Sequence, residues 1–186
     1  MRAHFVLLAS YNTWMNAKVY ETAGELTAGQ LSEDRGAFFG SILGTLNHIA
    51  IADRIWLQRF AGHFAQDEAL SEVRVLPKPR SLKDPLYPDF GQLSEHRVKL
   101  DRAIERWMTS LSDADLDQVV CYTTSNGRRI CKQFSSLLLH FFNHQTHHRG
   151  QVTTLLSQMG KDVGVTDLLA LLPDVDEGSV ASTPVT

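Results

Sequence analysis

The chain has 186 residues, 43% of them hydrophobic, and a formal net charge of −3 at pH 7. This length predicts one domain with a buried core, and the slightly acidic balance argues against nucleic acid as the main partner. No apolar run approaches the roughly 18 residues of a membrane span, and no small-residue cleavage site follows the N-terminal apolar run, so we expect a cytoplasmic protein.

The N-terminal part of the chain predicts two long helices. The first covers residues 3–22, where apolar side chains recur every three or four residues. Gly24 and the stretch 27–29 end it, and Ser32 is a weak start for the next element. The second helix covers residues 36–62 and has two adjoining apolar stripes, which predicts deep packing. Their members are Phe38, Ile42, Thr45, Ile49, Ala52, Trp56 and Phe60 in one stripe, and Gly44, His48, Ile51 and Ile55 in the other.

A proline-rich crossover and a third long helix follow. Residues 64–91 contain four of the six prolines. Because proline removes a backbone donor and clashes with the preceding turn, we predict a long ordered loop there. Residues 91–111 return to a helical pattern. Its buried face is predicted to consist of Leu93, His96, Leu100, Ile104, Trp107, Met108 and Leu111.

A β-hairpin over about residues 118–131 is predicted before the fourth long helix. The Asn-Gly step at 126–127 is a strong hairpin turn signal. With a two-residue loop, Cys121 faces Lys132, and the sulfurs of Cys121 and Cys131 point to opposite faces. This register predicts two reduced thiols rather than a disulfide.

The C-terminal part of the chain predicts the fourth long helix over residues 137–159 and a short last helix over 165–172. The small and polar end, residues 176–186, is expected to be disordered, which leaves residues 1–175 as a single domain. The predicted fold is therefore all-α. It is a four-helix bundle with a long crossover loop and a small β-hairpin before the last long helix.

The fourth long helix carries half of the eight histidines of the chain. At about 100° per residue, His148 lies on the centre of the apolar stripe and His144 lies about 40° from it. His140 and His147 lie about 80° and 100° away, on its flank. An inward-facing imidazole is costly unless something satisfies it. Two inward histidines one helical turn apart converge on one point and are typical metal ligands.

A third ligand has to come from another element, and His48 is the best candidate. It lies in the middle of the apolar face of the second helix, one turn after Gly44, whose missing side chain leaves space beside the imidazole. The remaining histidines lie near helix ends or in loops: His4, His63 and His96. Three neutral imidazoles leave at least one coordination position of a divalent ion open, as catalytic sites require. Zinc suits three nitrogen ligands best, and nickel, iron and manganese are alternatives.

Other polar residues near the histidines have weaker signals. Five of them are candidates for the pocket or for hydrogen-bond partners of the ligands: His140, His147, Arg149, Gln151 and Tyr11. Arg149 binds a carboxylate or anchors a neighbouring helix, and Tyr11 fits the core as well as a pocket. Asp53 follows His48 by five residues, so it is expected to point elsewhere, as a helix-surface or ion-pair carboxylate. No Ser-His-Asp order, phosphate loop or dinucleotide motif occurs.

Four segments together resemble one protein family. Residues 143–160 read NHQTHHRGQVTTLLSQMG and resemble the closing motif of the DinB-like, or DinB/YfiT, superfamily of metal-binding four-helix bundles. YNTWMN at 11–16, LNHIAIADRIWLQRF at 46–60 and the third helix at 89–111 resemble its other signatures. The resemblance covers nearly the whole chain.

The resemblance implies that His48, His144 and His148 are ligands of a divalent metal ion at one end of the bundle. It also implies a homodimer. Members of this superfamily include transferases and isomerases that use bacillithiol, mycothiol or glutathione. In them the metal is thought to lower the pKa of the thiol, so that a thiolate attacks an electrophile; coordination to a metal does deprotonate a thiol.

Three functions are compatible with these features. The first is a metal-dependent enzyme, of the S-transferase, isomerase or hydrolase type, that activates a low-molecular-weight thiol or water. The second is a non-catalytic metal-binding protein of the stress or damage response, which the lack of an evident general acid or base near the metal favours. The third is a nucleic-acid-linked damage-response module, which requires a basic stripe with interleaved aromatic residues, and the sequence has none.

Overall fold

A computed structural model describes residues 1–79, 81–82, 86–124 and 126–174. The chain forms a helical bundle with one small antiparallel hairpin, which confirms the predicted fold class. The α-helices are α1 (Arg2–Gly24), α2 (Ala28–Ser32), α3 (Ile42–His63), α4 (Ser71–Arg74), α5 (Phe90–Ser110), α6 (Asp113–Leu116) and α7 (Phe134–Gln158). The strands are β1 (Val119–Thr123) and β2 (Arg129–Gln133), and short 3₁₀ turns cover Glu68–Leu70 and Leu168–Leu171.

The four long helices begin and end close to the predicted positions, except at the start of α3. That helix was expected from residue 36 but begins at Ile42, where the Ser41 side chain accepts a hydrogen bond from the Gly44 backbone N–H. Residues 36–40 form a tight turn instead, because Gly36 and Gly40 adopt positive φ angles of 68° and 75°. Phe38, predicted to lie on the apolar face of this helix, is consequently 79% exposed.

Two short helices lie in segments that were predicted to be irregular. The stretch after Gly24 forms α2, because Thr27 and Gln30 make a reciprocal capping box there. In the crossover, α4 forms before the first proline, Pro77, so the prolines exclude a helix only over the later part of this segment. The predicted last helix is a single 3₁₀ turn, and the polar tail at 176–186 lies outside the described residues.

The hairpin forms with a register one residue away from the predicted one. The backbone N–H of Thr124 donates to the Arg128 carbonyl, so the loop is longer than the two residues assumed from the Asn-Gly step, and Gly127 has a φ of 82°. Cys121 therefore lies opposite Cys131 and forms a disulfide with it. The prediction of two reduced thiols is wrong because one added loop residue changes which residues face each other.

The core consists of two apolar layers separated by a polar layer. One layer surrounds Phe60, Trp107 and Phe134 near the hairpin, and the other surrounds Val19 and Ile42 at the opposite end. The polar layer between them contains seven buried residues from all four long helices: Asn12, Asn16, Asp53, Arg97, Asp101, Gln145 and Arg149. In the described part of the chain, no helix is both long enough and apolar enough to cross a bilayer.

The polar layer is an ion-paired network that fixes the helices to one another. Arg97 Nη1 contacts Asp53 Oδ2 at 2.5 Å, and Arg97 Nη2 contacts Asp101 Oδ1 at 2.9 Å. The Asn16 amide donates to Asp101 Oδ1 at 2.9 Å. Of the two alternatives for Asp53, the ion pair is confirmed and the helix-surface position is excluded, because this carboxylate is 1% exposed. It points away from solvent because α5 presents a guanidinium to it in the core.

Helix α3 packs closely against the turn that precedes it, and a substitution at Gly44 tests this contact. A Cβ atom at this position would lie 2.2 Å from the Phe39 carbonyl oxygen, so the space that glycine provides is used by backbone and not by the His48 imidazole. We expect Gly44→Ala to lower the free energy of unfolding by about 1–3 kcal/mol in urea denaturation, because a backbone segment has to move. Gly150→Ala is the control, since nothing lies within 4 Å of its added Cβ. It should raise stability by about 0.5–1 kcal/mol, and equal effects of both substitutions would contradict the packing described.

Candidate metal centre

Three histidines from two helices converge at the α3–α7 contact. His48 lies on α3, and His144 and His148 lie one turn apart on α7. One ring nitrogen of each lies within 4.8 Å of the others, and the Nε2 atoms of His48 and His144 are 3.3 Å apart. His144 and His148 lie nearer the middle of α7 than either of its ends. The structure thus brings together the three residues that the angular argument and the resemblance singled out.

The distance between two of the three ring nitrogens fits a tetrahedral divalent ion. Two nitrogens that each lie about 2.0–2.1 Å from a tetrahedral zinc ion are about 3.3 Å from each other, which is the separation of the His48 and His144 nitrogens. Two imidazole nitrogens that direct lone pairs to one point repel each other unless a cation or a proton lies between them. The spacing and the chemistry of the three side chains therefore fit a metal ion.

Hydrogen bonds orient two of the three imidazoles. His48 Nδ1 lies 3.3 Å from the Leu82 carbonyl oxygen, and His148 Nδ1 lies 2.8 Å from Gln151 Oε1. Both partners are acceptors, so each Nδ1 carries the proton and donates it, which leaves the Nε2 lone pair for a metal. Gln151 is thus a hydrogen-bond partner of a candidate ligand, and its amide nitrogen lies 3.3 Å from His147 Nε2.

Burial keeps the three imidazoles neutral. It lowers the pKa of His144 to about 3, with a further contribution from the neighbouring histidines, and it also lowers the pKa values of His48 and His148. A neutral imidazole is the form that binds a metal ion, so a metal need not displace a proton from these side chains at neutral pH.

An aromatic side chain that the sequence did not indicate forms one wall of the site. The Phe39 ring stacks on His48 with 3.7 Å between ring centroids and 16° between planes, and its edge faces His148 at 5.5 Å. The turn at 36–40 places it there, with its two positive-φ glycines. Because Gly44 has no Cβ atom, the Phe39 carbonyl can lie close to the α3 backbone, which makes this placement possible. Sequence periodicity assigned Phe39 to a helix, so it gave no signal for this role.

Three other candidate residues lie outside the cluster. His140 is exposed, with its ring edge-on to Trp56 at 5.2 Å and 6.0 Å from the His144 ring. His147 is exposed as well. The Tyr11 hydroxyl donates to the Thr166 carbonyl at 2.7 Å, which ties α1 to the C-terminal segment.

Arg149 and Gln145 connect the histidine helix to the polar layer. Arg149 is 3% exposed and donates to the Asn12 side chain, so it anchors α7 to α1, the second of the two roles predicted for it. Gln145 is fully buried and its amide donates to Asp53 Oδ1 at 2.9 Å. Gln145 was not among the residues predicted for the site. Its position beside His144, on the inward face of the helix, is the signal that could have identified it.

A small cavity lies beside one histidine of the cluster, on the α3 side. Its volume is about 260 Å³ and it opens beside the His48 ring. Its lining consists of Ser32, Ser41, Leu43, Gly44, Asn47, His48, Ile51, Leu82 and Pro88. The lining includes Leu82, whose carbonyl accepts the hydrogen bond from His48 Nδ1.

Comparisons with known proteins agree with the fold and the motifs. The model of the DinB family matches residues 1–175. Protein DinB of Bacillus subtilis (strain 168) is 28% identical over 162 residues, which are 86% of this chain and 88% of that protein. The crystal structure of a DinB-like protein from Bacillus cereus ATCC 10987 superposes with a TM-score of 0.57 and 21% identity, over 87% of this chain and 94% of that one.

Proposed function

The chain belongs to the DinB family, and from this premise we propose that it is a metal-dependent enzyme whose divalent ion is held by His48, His144 and His148. In this proposal a low-molecular-weight thiol, or a water molecule, takes the open coordination position and attacks an electrophilic small molecule. Zinc or nickel suits the three nitrogens best, and iron or manganese is an alternative.

The observation that carries the proposal is the composition of the cluster. It contains three histidines, and the described residues add no fourth protein ligand to it. A tetrahedral ion with three protein ligands keeps one position for an exchangeable molecule, which is the pattern of catalytic and not of structural sites.

The residues of the chain perform the positioning part of this chemistry. Leu82 and Gln151 hold the His48 and His148 rings by their Nδ1 atoms, and Phe39 excludes water from one side of the His48 ring. A bound divalent ion supplies positive charge that lowers the pKa of a thiol or water coordinated to it.

A non-catalytic metal-binding role is the alternative, and one observation favours it. The cluster in the described part of the chain includes no carboxylate that could act as a general acid or base. Under this alternative the ion is bound, but no small molecule exchanges at it. The homodimer, the cytoplasmic location and the absence of a nucleic-acid partner remain predictions.

Titration of the Co²⁺-loaded protein with 2-mercaptoethanol tests the proposal. Coordination of the thiolate should produce a sulfur-to-cobalt charge-transfer band in the near-ultraviolet spectrum, and 2-methoxyethanol, which has no thiol, should leave the spectrum unchanged. A screen of thiols with alkyl halide and epoxide electrophiles then measures turnover. A cobalt spectrum that no thiol alters, together with no turnover, would refute the enzyme and leave the non-catalytic role.

A further inference from the structure

One arginine on α3 has its guanidinium against two aromatic rings that contact each other. The Arg59 guanidinium carbon lies 4.7 Å from the Trp56 ring centroid and 4.5 Å from the Tyr122 ring centroid. Tyr122 belongs to β1 and meets Trp56 edge-on at 5.2 Å. These cation–π contacts hold the guanidinium in place and leave its N–H groups available as hydrogen-bond donors.

Arg59 has no carboxylate partner among the residues that the structure describes. It takes part in none of the ion pairs there, although it is only partly exposed. By contrast, Arg97 on α5 contacts two carboxylates. A half-buried cation without a counter-charge is available to an anionic ligand, and its fixed plane reduces the entropy lost when that ligand binds.

The guanidinium borders a cavity of about 490 Å³ between α3, the start of the crossover and the hairpin. The lining consists of Ile55, Gln58, Arg59, Lys78, Pro79, Thr123 and Thr124. Among the residues that the structure describes, this lining has two cationic side chains and no acidic one. The volume lies within the range of about 300–1,000 Å³ that is typical of small-molecule sites.

Two side chains of α3 form hydrogen bonds with the crossover segment that lines one side of this cavity. The Gln58 amide donates to the Leu76 carbonyl at 2.6 Å, and Arg54 donates to the Pro77 carbonyl. These bonds hold Lys78 and Pro79 over the helix. The cavity therefore lies between a crossover segment that is held by hydrogen bonds and a strand of the hairpin.

The cavity and the histidine cluster lie along the same side of α3. Residues 48, 55 and 59 are spaced by seven and then four positions, which places residues 55 and 59 each within about 20° of His48 on one helix face. The Arg59 guanidinium lies at the level of Trp56, eight residues from His48, which corresponds to about 12 Å along the helix axis. Trp56 also contacts His140, whose ring is 6.0 Å from that of His144.

We propose that this cavity binds a carboxylate of the small thiol that reacts at the histidine cluster, with Arg59 as the specificity-determining residue and Lys78 as a second cationic contact. The planar edge of a fixed guanidinium matches the two oxygens of a carboxylate, and the 12 Å offset suits a thiol of peptide size rather than a minimal one. The choice of a thiol rests on the proposed function, whereas the recognition of the carboxylate rests on the cavity itself.

Calorimetric titration with S-methylglutathione tests the cavity without any thiol chemistry. This probe has two carboxylates and a blocked sulfur, and its diethyl ester has neither carboxylate. The acid should bind and the ester should bind at least about tenfold more weakly, because a hydrogen-bonded charge pair is lost. Arg59→Met should weaken binding of the acid by a similar factor, and Arg59→Lys should give an intermediate loss, since the charge stays but the planar fork is removed.

Arg128→Met is the matched control, because Arg128 is an exposed cation on the same hairpin that does not line the cavity. It should leave the affinity unchanged. No detectable binding to the wild-type protein, equal binding of acid and ester, or equal affinities of the wild type and Arg59→Met would each overturn the proposal. If Arg59-dependent binding is seen but no thiol alters the cobalt spectrum, the carboxylate site stands and the thiol chemistry at the metal falls.

Discussion

Replacing Arg97 by methionine is expected to lower the free energy of unfolding by about 3–5 kcal/mol, the cost of breaking a buried ion pair by removing one partner. Arg97 is 2% exposed and lies between Asp53 and Asp101, which are 1% and 4% exposed. Without the guanidinium, two carboxylates that cannot reach water face each other across the polar layer. The loss should be visible as a lower midpoint in urea denaturation.

The pH dependence of the loss in unfolding free energy shows whether the two buried carboxylates cause it. Burial raises the pKa of Asp101 to about 6 although Arg97 opposes the shift, and burial also raises the pKa of Asp53. Removing Arg97 should raise both values further. A carboxyl group with a raised folded-state pKa stabilises the fold below its unfolded pKa and loses this contribution as the pH rises through the folded value. The variant should therefore recover part of its stability at about pH 5 relative to about pH 8.

Arg102→Met is the control for the loss of a positive charge from the same helix. Arg102 is exposed and forms no ion pair within the described residues, so its replacement should change stability by no more than about 0.5 kcal/mol. If Arg97→Met and Arg102→Met have the same effect, or if the loss at Arg97 is independent of pH, the polar layer does not stabilise the bundle as described.

Replacing His148 by alanine is expected to weaken metal binding by more than the roughly 10- to 100-fold that the loss of a hydrogen-bond partner of a ligand costs. The substitution removes one of three nitrogens that lie within 4.8 Å of one another. Two imidazoles from different helices remain, and they hold an ion less tightly and with less defined geometry. Competition with a chromophoric chelator measures the change in affinity.

His140→Ala is the matched control on the same helix. His140 is exposed and contacts Trp56 instead of joining the cluster, so its removal should leave the affinity unchanged within about twofold, a difference of less than 0.5 kcal/mol. Equal losses for both variants would show that the metal is held loosely by the histidine-rich helix and not by the proposed triad.

Much of this architecture follows from patterns that are local in sequence. Helical periodicity indicated the four long helices, and the angle between side chains on α7 separated His144 and His148 from His140 and His147. The choice of His48 needed only its place in an apolar face, because the two helices bury those faces against each other. These inferences succeed where a single helix determines which way a residue points.

The parts that could not be predicted depend on contacts distant in sequence or on single residues in turns. The two cysteine sulfurs were expected to point to opposite faces of the hairpin. One additional residue in the loop instead places Cys121 directly opposite Cys131. The turn at 36–40 places the Phe39 ring against His48. In the sequence, the two glycines of this turn are equally compatible with positions inside a helix, so they did not indicate the turn. Asp53 was assigned to the helix surface or to an ion pair, and its place in the core could not be predicted because its partner, Arg97, comes from another helix 44 residues later.

X-ray absorption spectroscopy of the Zn²⁺-loaded protein is the most direct test of the proposed metal centre. We expect one bound ion whose nearest shell contains three imidazole nitrogens at about 2.0–2.1 Å and one further light atom from an exchangeable ligand. In the presence of a small thiol, that atom should be replaced by sulfur at about 2.3 Å. A shell with fewer than three imidazoles, or one with four protein ligands that no thiol alters, would contradict the proposed metal centre.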